Sequence, residues 1–299
     1  MNFTTLTQRL TQGPQRRIGL IGADDPASLT AVAAAHAAGL ATATLYGDPT
    51  TVAASAERAA VDLSPFTLHP CPSAAASTAA ALASATSGAV DLLMKGHVDT
   101  PTLMGAAVSA STGFRRGGLM SHLAALEIPR QPRLLFLTDT GLNPYPRLAE
   151  KRDIAHNALA ALRRLGLDRP AMAILSATEV ETPKLPCSVD AAQLCAEAHR
   201  GDLGPCECAG PVDVFIATDP AAAAIKGVAC PIAGRTDLWL LPDMVSGNIL
   251  TKSLVTFAQA KLGGVILGGA CPIVLASRAS SAGDKERSIL LALAVAATA

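Results

Sequence analysis

Aromatic side chains are scarce: two tyrosines, one tryptophan and six phenylalanines make up 3% of the 299 residues. The apolar half of the chain is instead mostly Ala, Leu and Val. A core of small and branched side chains is typical of parallel strands covered by helices. Charge is also sparse, at 16%, and balanced, with 24 basic and 24 acidic residues. No global field exists to attract nucleic acid or an anionic membrane, so an anionic ligand needs a local constellation. No run of roughly 18 apolar residues occurs, so no membrane span is expected, and residues 1–17 lack the apolar segment of a signal peptide. Seven cysteines stand at 71, 187, 195, 206, 208, 230 and 271, an odd number with no CxxC pair. They read as incidental free thiols of a cytoplasmic protein. GxGxxG after the first strand, GxxxxGK[ST], HExxH and GxSxG are all missing, as is any tight metal-binding cluster.

Strand-like runs alternate with helical stretches. An opening helix candidate is followed by an apolar run at 18–22, a helix pattern in SLTAVAAAHAAGL and a second strand at 41–47. An Ala-rich segment, 73–88, favours helix. Further apolar runs at 90–94, 133–139, 171–180, 212–219 and 237–243 read as strands ending in polar residues. AHNALAALRRLGL and GNILTKSLVTFAQAKLGG read as helices, CPIVLASRASSAGD as a last strand and loop, and SILLALAVAATA as a buried helix. This alternation predicts βαβ units and mostly parallel sheets, whose ligands sit beyond the carboxyl ends of the strands.

The densest constellation is CPIVLASRASSAGD, residues 271–284, which carries Ser277 and Arg278 at a strand end, a small-residue loop and then Asp284. The small loop lets backbone N–H groups approach a phosphate. A carboxylate can take a proton, a guanidinium can stabilise developing negative charge and a hydroxyl can orient a nucleophile. The same run also suits a helix start capped by Ser280 or Ser281, with Asp284 in the first turn. In LMKGHVDTPTLMGAAV, Lys95 and His97 end a strand while Thr100 and Thr102 open a helix; the group can cradle an anion, or Asp99 or Thr100 can simply cap. In GFRRGGLMSH, Arg115 and Arg116 sit among glycines, either as a phosphate fork or as a solvated turn. In PDMVSGNILTK, Asp243, Ser246 and Asn248 open a helix, and capping alone accounts for Ser246 or Asn248.

Taken in order, DLLMKGHVDTPTL, GFRRGGLMSHLAALEIP, RLLFLTDTGLNPYP and the block from Lys226 to Leu293 resemble the phosphate acetyl/butyryl transferase family. The resemblance spans residues 91–299 and is greatest to the butyryl branch. It implies an α/β, two-domain isocitrate/isopropylmalate dehydrogenase-like fold with mostly parallel sheets and an interdomain cleft. Residues 1–136 plus 268–299 would form the first domain, and 137–267 the second, with the dimer contact. The implied reaction is acyl-CoA plus phosphate giving acyl phosphate plus CoA, with no cofactor, no metal and no nucleic-acid or membrane partner. The family's Ser-Arg pair falls on Ser277 and Arg278, its catalytic Asp on Asp284 and its glycine-flanked arginine on Arg115, with Arg116 adjacent. Lys95, Thr100, Ser280, Ser281 and Asn248 complete the expected phosphate and CoA contacts. TLMGAAV lacks an arginine present in the acetyl branch, and Ala279 and Ser280 replace its Gly and frequent Cys. A metal- and NAD-dependent dehydrogenase of the same fold, an acyl-carrier-protein-dependent phosphate acyltransferase and a non-catalytic CoA- or phosphate-binding module are the competing readings.

Overall fold

A computed structural model describes residues 1–275 and 281–296; Ser277, Arg278 and Ser280 lie outside the described residues. The chain divides into two units, residues 1–118 with 262–299 and residues 119–261.

The first unit begins with helix α1 (Phe3–Leu10), strand β1 (Arg16–Ile21), α2 (Pro26–Ala37), β2 (Ala41–Gly47) and α3 (Pro49–Ala59). It continues through β3 (Thr67–Pro70), α4 (Ala74–Thr86), β4 (Leu92–Lys95) and α5 (Thr100–Val108). Each helix from α2 to α5 begins at a short polar N-cap: Asp25 for α2, Asp48 for α3, Ser73 for α4 and Asp99 for α5. Each cap side chain accepts a backbone N–H that the first turn leaves unpaired, which fixes where strand-end loop becomes helix.

The second unit runs β5 (Ser121–Glu127), β6 (Leu135–Thr138), α6 (Leu148–Arg164), β7 (Ala171–Leu175), α7 (Pro186–Arg200) and β8 (Glu207–Val212). Then come α8 (Val214–Thr218), α9 (Pro220–Ile225), β9 (Leu238–Leu240) and α10 (Met244–Phe257). Its strands lie in the order β5-β6-β9-β7-β8, parallel except that β5 is antiparallel to β6. Helices α6 and α7 are joined by the Arg152–Glu197 pair at 2.6 Å and the Lys151–Asp190 pair at 2.7 Å.

The chain returns to the first unit as β10 (Lys261–Leu267), β11 (Ile273–Val274) and α11 (Ala282–Val295). The first unit's strand order is β3-β2-β1-β4-β11-β10, with β10 alone antiparallel to its neighbour β11. Leu92, Leu93, Met94, Ile273 and Val274 are wholly buried, each side chain worth about 1.5–3 kcal/mol over exposure. Strands buried on both faces explain why these segments read as unbroken apolar runs.

Several sequence expectations are revised. The run at 212–219 is not a strand: Asp213 caps the short helix α8, and the strand lies before it as ECAGPV. Gly210 and Pro211 disguise that strand, yet β8 is the edge of the second unit's sheet, where proline is tolerated. The Gly-rich exit of α10 contains strand β10, and β3 and β5 also went unread. The unit boundaries fall at 118/119 and 261/262, against the expected 136/137 and 267/268. The pairing Ala124↔Leu137 keeps β5 with β6 in the second unit.

Candidate active site

In the first unit the chain runs from β1 to β2 and β3 on one side, then crosses to β4 on the other. The topological switch therefore falls between β1 and β4. Ligands of open α/β sheets bind beyond the strand ends at such a point. Here the two loops interlock: the N–H groups of Gly96 and His97 donate to the carbonyls of Ile21 and Gly22, both at 2.8 Å. A Cβ on Gly96 would stand 2.3 Å from the Gly22 carbonyl oxygen, and Gly22 itself has φ +64°. Glycine is required at both positions for backbone to pass this close to backbone.

This crossing sets the polar side chains. His97 Nδ1 lies 2.9 Å from Asp24 Oδ2. The Lys95 ammonium turns onto the Val98 carbonyl at 3.0 Å. Asp99 caps α5, accepting from the Thr102 amide at 2.8 Å and its hydroxyl at 2.7 Å, and these bonds lower the Asp99 pKa. Thr100 is exposed in the first turn of that helix. A cleft of about 470 Å³ opens beside this group at the ends of the first four strands, lined by Gly22, Asp24, Asp48, Ser73, His97 and Asp99.

Strand β11 runs parallel to β4, pairing Val274 with Met94, so the chain leaves the sheet beside Lys95 and is next described at Ser281. Ser281 caps α11 and Asp284 is the third helical residue, in a reciprocal capping box. The capping expectation for Ser281 and Asp284 is therefore met, whatever further work the carboxylate does. Asp284 Oδ2 accepts from the Ser281 amide at 3.1 Å and Oδ1 from Arg287 Nη2 at 2.6 Å. Burial pushes the Asp284 carboxyl up, but the hydrogen bonds from Ser281 and Arg287 outweigh it and hold the pKa below the ordinary value. The side chain keeps 22% of its surface exposed, and a carboxylate with one donor on each oxygen still has lone pairs to offer. Buried Lys285 reaches back to Asp25 Oδ2 at 3.3 Å, joining the first turn of α11 to the cap of α2.

The Arg116 amide donates to the Gly268 carbonyl at 3.0 Å and Arg115 bridges Gly269, in the turn that precedes β11. Both guanidinium groups are exposed and make no hydrogen bond or ion pair among the described residues, so both are available to an anion.

Asn248 belongs to the second unit. Asp243 caps α10, and Asn248 Nδ2 donates to the Thr140 carbonyl at 3.1 Å. That carbonyl belongs to a buried cluster around Asp139, a residue the sequence marks only as the polar end of a strand. Asp139 Oδ1 accepts from the amides of Gly141 and Leu142 at 2.8 and 2.9 Å, and Oδ2 from the Asn143 side chain at 2.5 Å. His122 Nδ1 lies 2.6 Å from Thr140 Oγ1. Burial lowers the His122 pKa against the opposing charge of Asp139, favouring a neutral ring. The available signal was TDTGLNP, a carboxylate followed by a Gly- and Asn-bearing turn whose amides can wrap it. Among the described residues no group of three or more His, Cys, Asp or Glu side chains is placed to hold a metal ion.

Residues 72–293 match the family described as phosphate acetyl/butaryl transferase. The chain is 35% identical over 295 residues to a phosphate butyryltransferase of Clostridium acetobutylicum, covering 99% of this chain and 98% of that one. Among solved structures it resembles a branched-chain phosphotransacylase from Enterococcus faecalis V583. The TM-score is 0.82 at 29% identity, over 94% of this chain and 99% of that one. A 4-hydroxythreonine-4-phosphate dehydrogenase from Burkholderia phymatum shares the fold, with a TM-score of 0.56 at 14% identity, over 96% of this chain and all of that one. The expected dehydrogenase-like α/β fold is thus observed.

Proposed function

The chain belongs to the phosphate acetyl/butyryl transferase family and is a phosphate acyltransferase, and from that premise we propose that it moves a butyryl-sized acyl group between coenzyme A and inorganic phosphate by direct transfer. In the direction of thioester synthesis, the CoA sulfur attacks the acyl carbon of the acyl phosphate. The bond from that carbon to the phosphate oxygen breaks, and Asp284 takes the thiol proton. Ser277 aligns the sulfur and Arg278 stabilises charge on the acyl oxygen. Lys95, Thr100, Arg115, Arg116, Ser280, Ser281 and Asn248 serve substrate binding, with Lys95 and Arg115 on phosphate. Holding both substrates in register supplies most of the acceleration, so no covalent intermediate is needed.

The observation that carries this reading is the position of Asp284. It stands inside the family-matched segment, at the start of α11, ionised by its partners and still partly exposed. Its lowered pKa makes it a weak base for a thiol but keeps it unprotonated throughout the neutral range. The butyryl preference follows the full-length likeness to a phosphate butyryltransferase. A pocket distinguishes acyl groups by about 1–3 kcal/mol per methylene.

The test is thiol release from acetyl-, propionyl- and butyryl-CoA with and without phosphate. Release that requires phosphate and is fastest per mole with butyryl-CoA is expected. Release that ignores phosphate would sink the reading, and a preference for acetyl-CoA would overturn its chain length alone.

We also place a homodimer contact on the second unit. Phe215, Ile225, Ile249 and Phe257 are at least 61% exposed, and all four belong to residues 119–261. No described helix is long and apolar enough to cross a membrane.

A further inference from the structure

Asn248 hangs on a turn that is itself tied down by several bonds. Asp139 and Thr140 in that turn are 2% and 3% exposed. The Asp139 carboxylate gathers the amides of Gly141, Leu142 and Asn143 at 2.8, 2.9 and 3.2 Å. The Thr140 hydroxyl lies 2.6 Å from His122 Nδ1. Gly247, one residue before Asn248, packs on the Asp139 carbonyl with no room for a Cβ. The Thr140 carbonyl is thereby fixed, and Asn248 Nδ2 donates to it at 3.1 Å.

That bond decides which way the amide faces. A carbonyl oxygen only accepts, so the Asn248 NH2 group and not its Oδ1 must meet Thr140. Oδ1 points elsewhere and has no partner among the described residues. It is not sealed in either. Among the described residues that are not exposed, Thr251 Oγ1 is the one side-chain nitrogen or oxygen both wholly buried and unpartnered. Asn248 is half-buried, and it offers an accessible acceptor of fixed direction.

Resting on the acyltransferase reading above, we propose that Asn248 recognises an N–H donor of coenzyme A and not an oxygen of phosphate. Asp139 is the positioning residue that sets the amide through the Thr140 carbonyl. Coenzyme A carries such donors as amides along its pantetheine arm and as the adenine amine. Phosphate and acyl phosphate meet a protein chiefly through acceptor oxygens, which a fixed Oδ1 repels. The side chains of Lys95, Arg115 and Arg116 offer only donors and suit those oxygens. Asn248 therefore divides the two substrates. One neutral hydrogen bond is worth about two- to tenfold in binding.

The test is the steady-state kinetics of phosphate-dependent thiol release from the preferred acyl-CoA. In Asn248→Ala the KM for acyl-CoA should rise about two- to tenfold, while the KM for phosphate stays unchanged. Asp139→Asn should shift the same constant in the same direction, because the carboxylate oxygen that accepts from Asn143 is replaced. A merely structural loss would not separate the two substrates. The wild type is also assayed with acyl-CoA analogues that carry an ester in place of a pantetheine amide, or hydrogen in place of the adenine amine. One analogue should show the same penalty, which identifies the donor, and Asn248→Ala should no longer distinguish it from acyl-CoA. A raised KM for phosphate in Asn248→Ala, or equal wild-type KM values for every analogue, overturns the proposal. The wild-type series decides the matter even if a variant fails to fold. Thiol release that ignores phosphate would instead remove the acyltransferase reading on which the proposal rests.

Discussion

At the residue scale the central group is Asp284, whose two oxygens each already hold one donor. Replacing it with Asn keeps size and capping geometry but removes the charge. Turnover in the Asp284→Asn variant is expected to fall about a hundredfold or more, the usual loss for a missing general base, with an unchanged circular dichroism spectrum. Wild-type turnover would remove Asp284 from the chemistry and leave it as a helix cap. The same carboxylate contributes to stability in a defined direction. Its folded pKa is depressed, so its contribution is fully present above the unfolded value of about 3.9 and is lost as pH falls through the folded value. The stability gap between wild type and Asp284→Asn, about 1 kcal/mol at neutral pH for a partly exposed cap and ion pair, should close below pH about 4. A gap that widens on acidification would contradict the assigned partners.

At the scale of elements, the site depends on loops that cross with nothing between them. A methyl group on Gly96 would meet the Gly22 carbonyl oxygen at 2.3 Å, and one on Gly247 would meet the Asp139 carbonyl oxygen at the same distance. Backbone cannot yield as a flexible side chain does. Gly96→Ala is expected to cost about 1–3 kcal/mol, the range for overpacking, read as a lower urea midpoint. It should also reduce activity by moving Lys95 and His97. Unchanged stability would mean that the β1 and β4 loops are less tightly apposed than described. Element identity itself was legible where apolar runs were long, as at 41–47, which is β2 residue for residue. It failed at β8, because an edge strand carrying Gly210 and Pro211 has no alternation to read, while the apolar VFIAT after it is a capped turn of helix.

At the scale of the whole molecule, direct transfer demands that both substrates be bound at once. Initial rates against acyl-CoA at several phosphate concentrations should give intersecting lines, whereas parallel lines would signal an acyl-enzyme. Assembly is tested by light scattering. The wild type should have the mass of a dimer, and the double variant Ile249→Glu, Phe257→Glu should approach that of a monomer. Buried carboxylates in an apolar contact have no partners and cost far more than they do in water. An unchanged mass in the variant would move the contact off α10.

The sequence by itself determined the fold class and the family. Apolar runs, caps and motif order are local properties, written in neighbouring residues. Only the tertiary structure decided which of those residues meet. That Asp284 is bound to Arg287 and Ser281, that Lys285 reaches Asp25 across 260 positions and that Arg115 is anchored to the turn before β11 all depend on strand order and helix packing. Such contacts are set by the burial of shared apolar faces, which no short stretch of chain specifies alone.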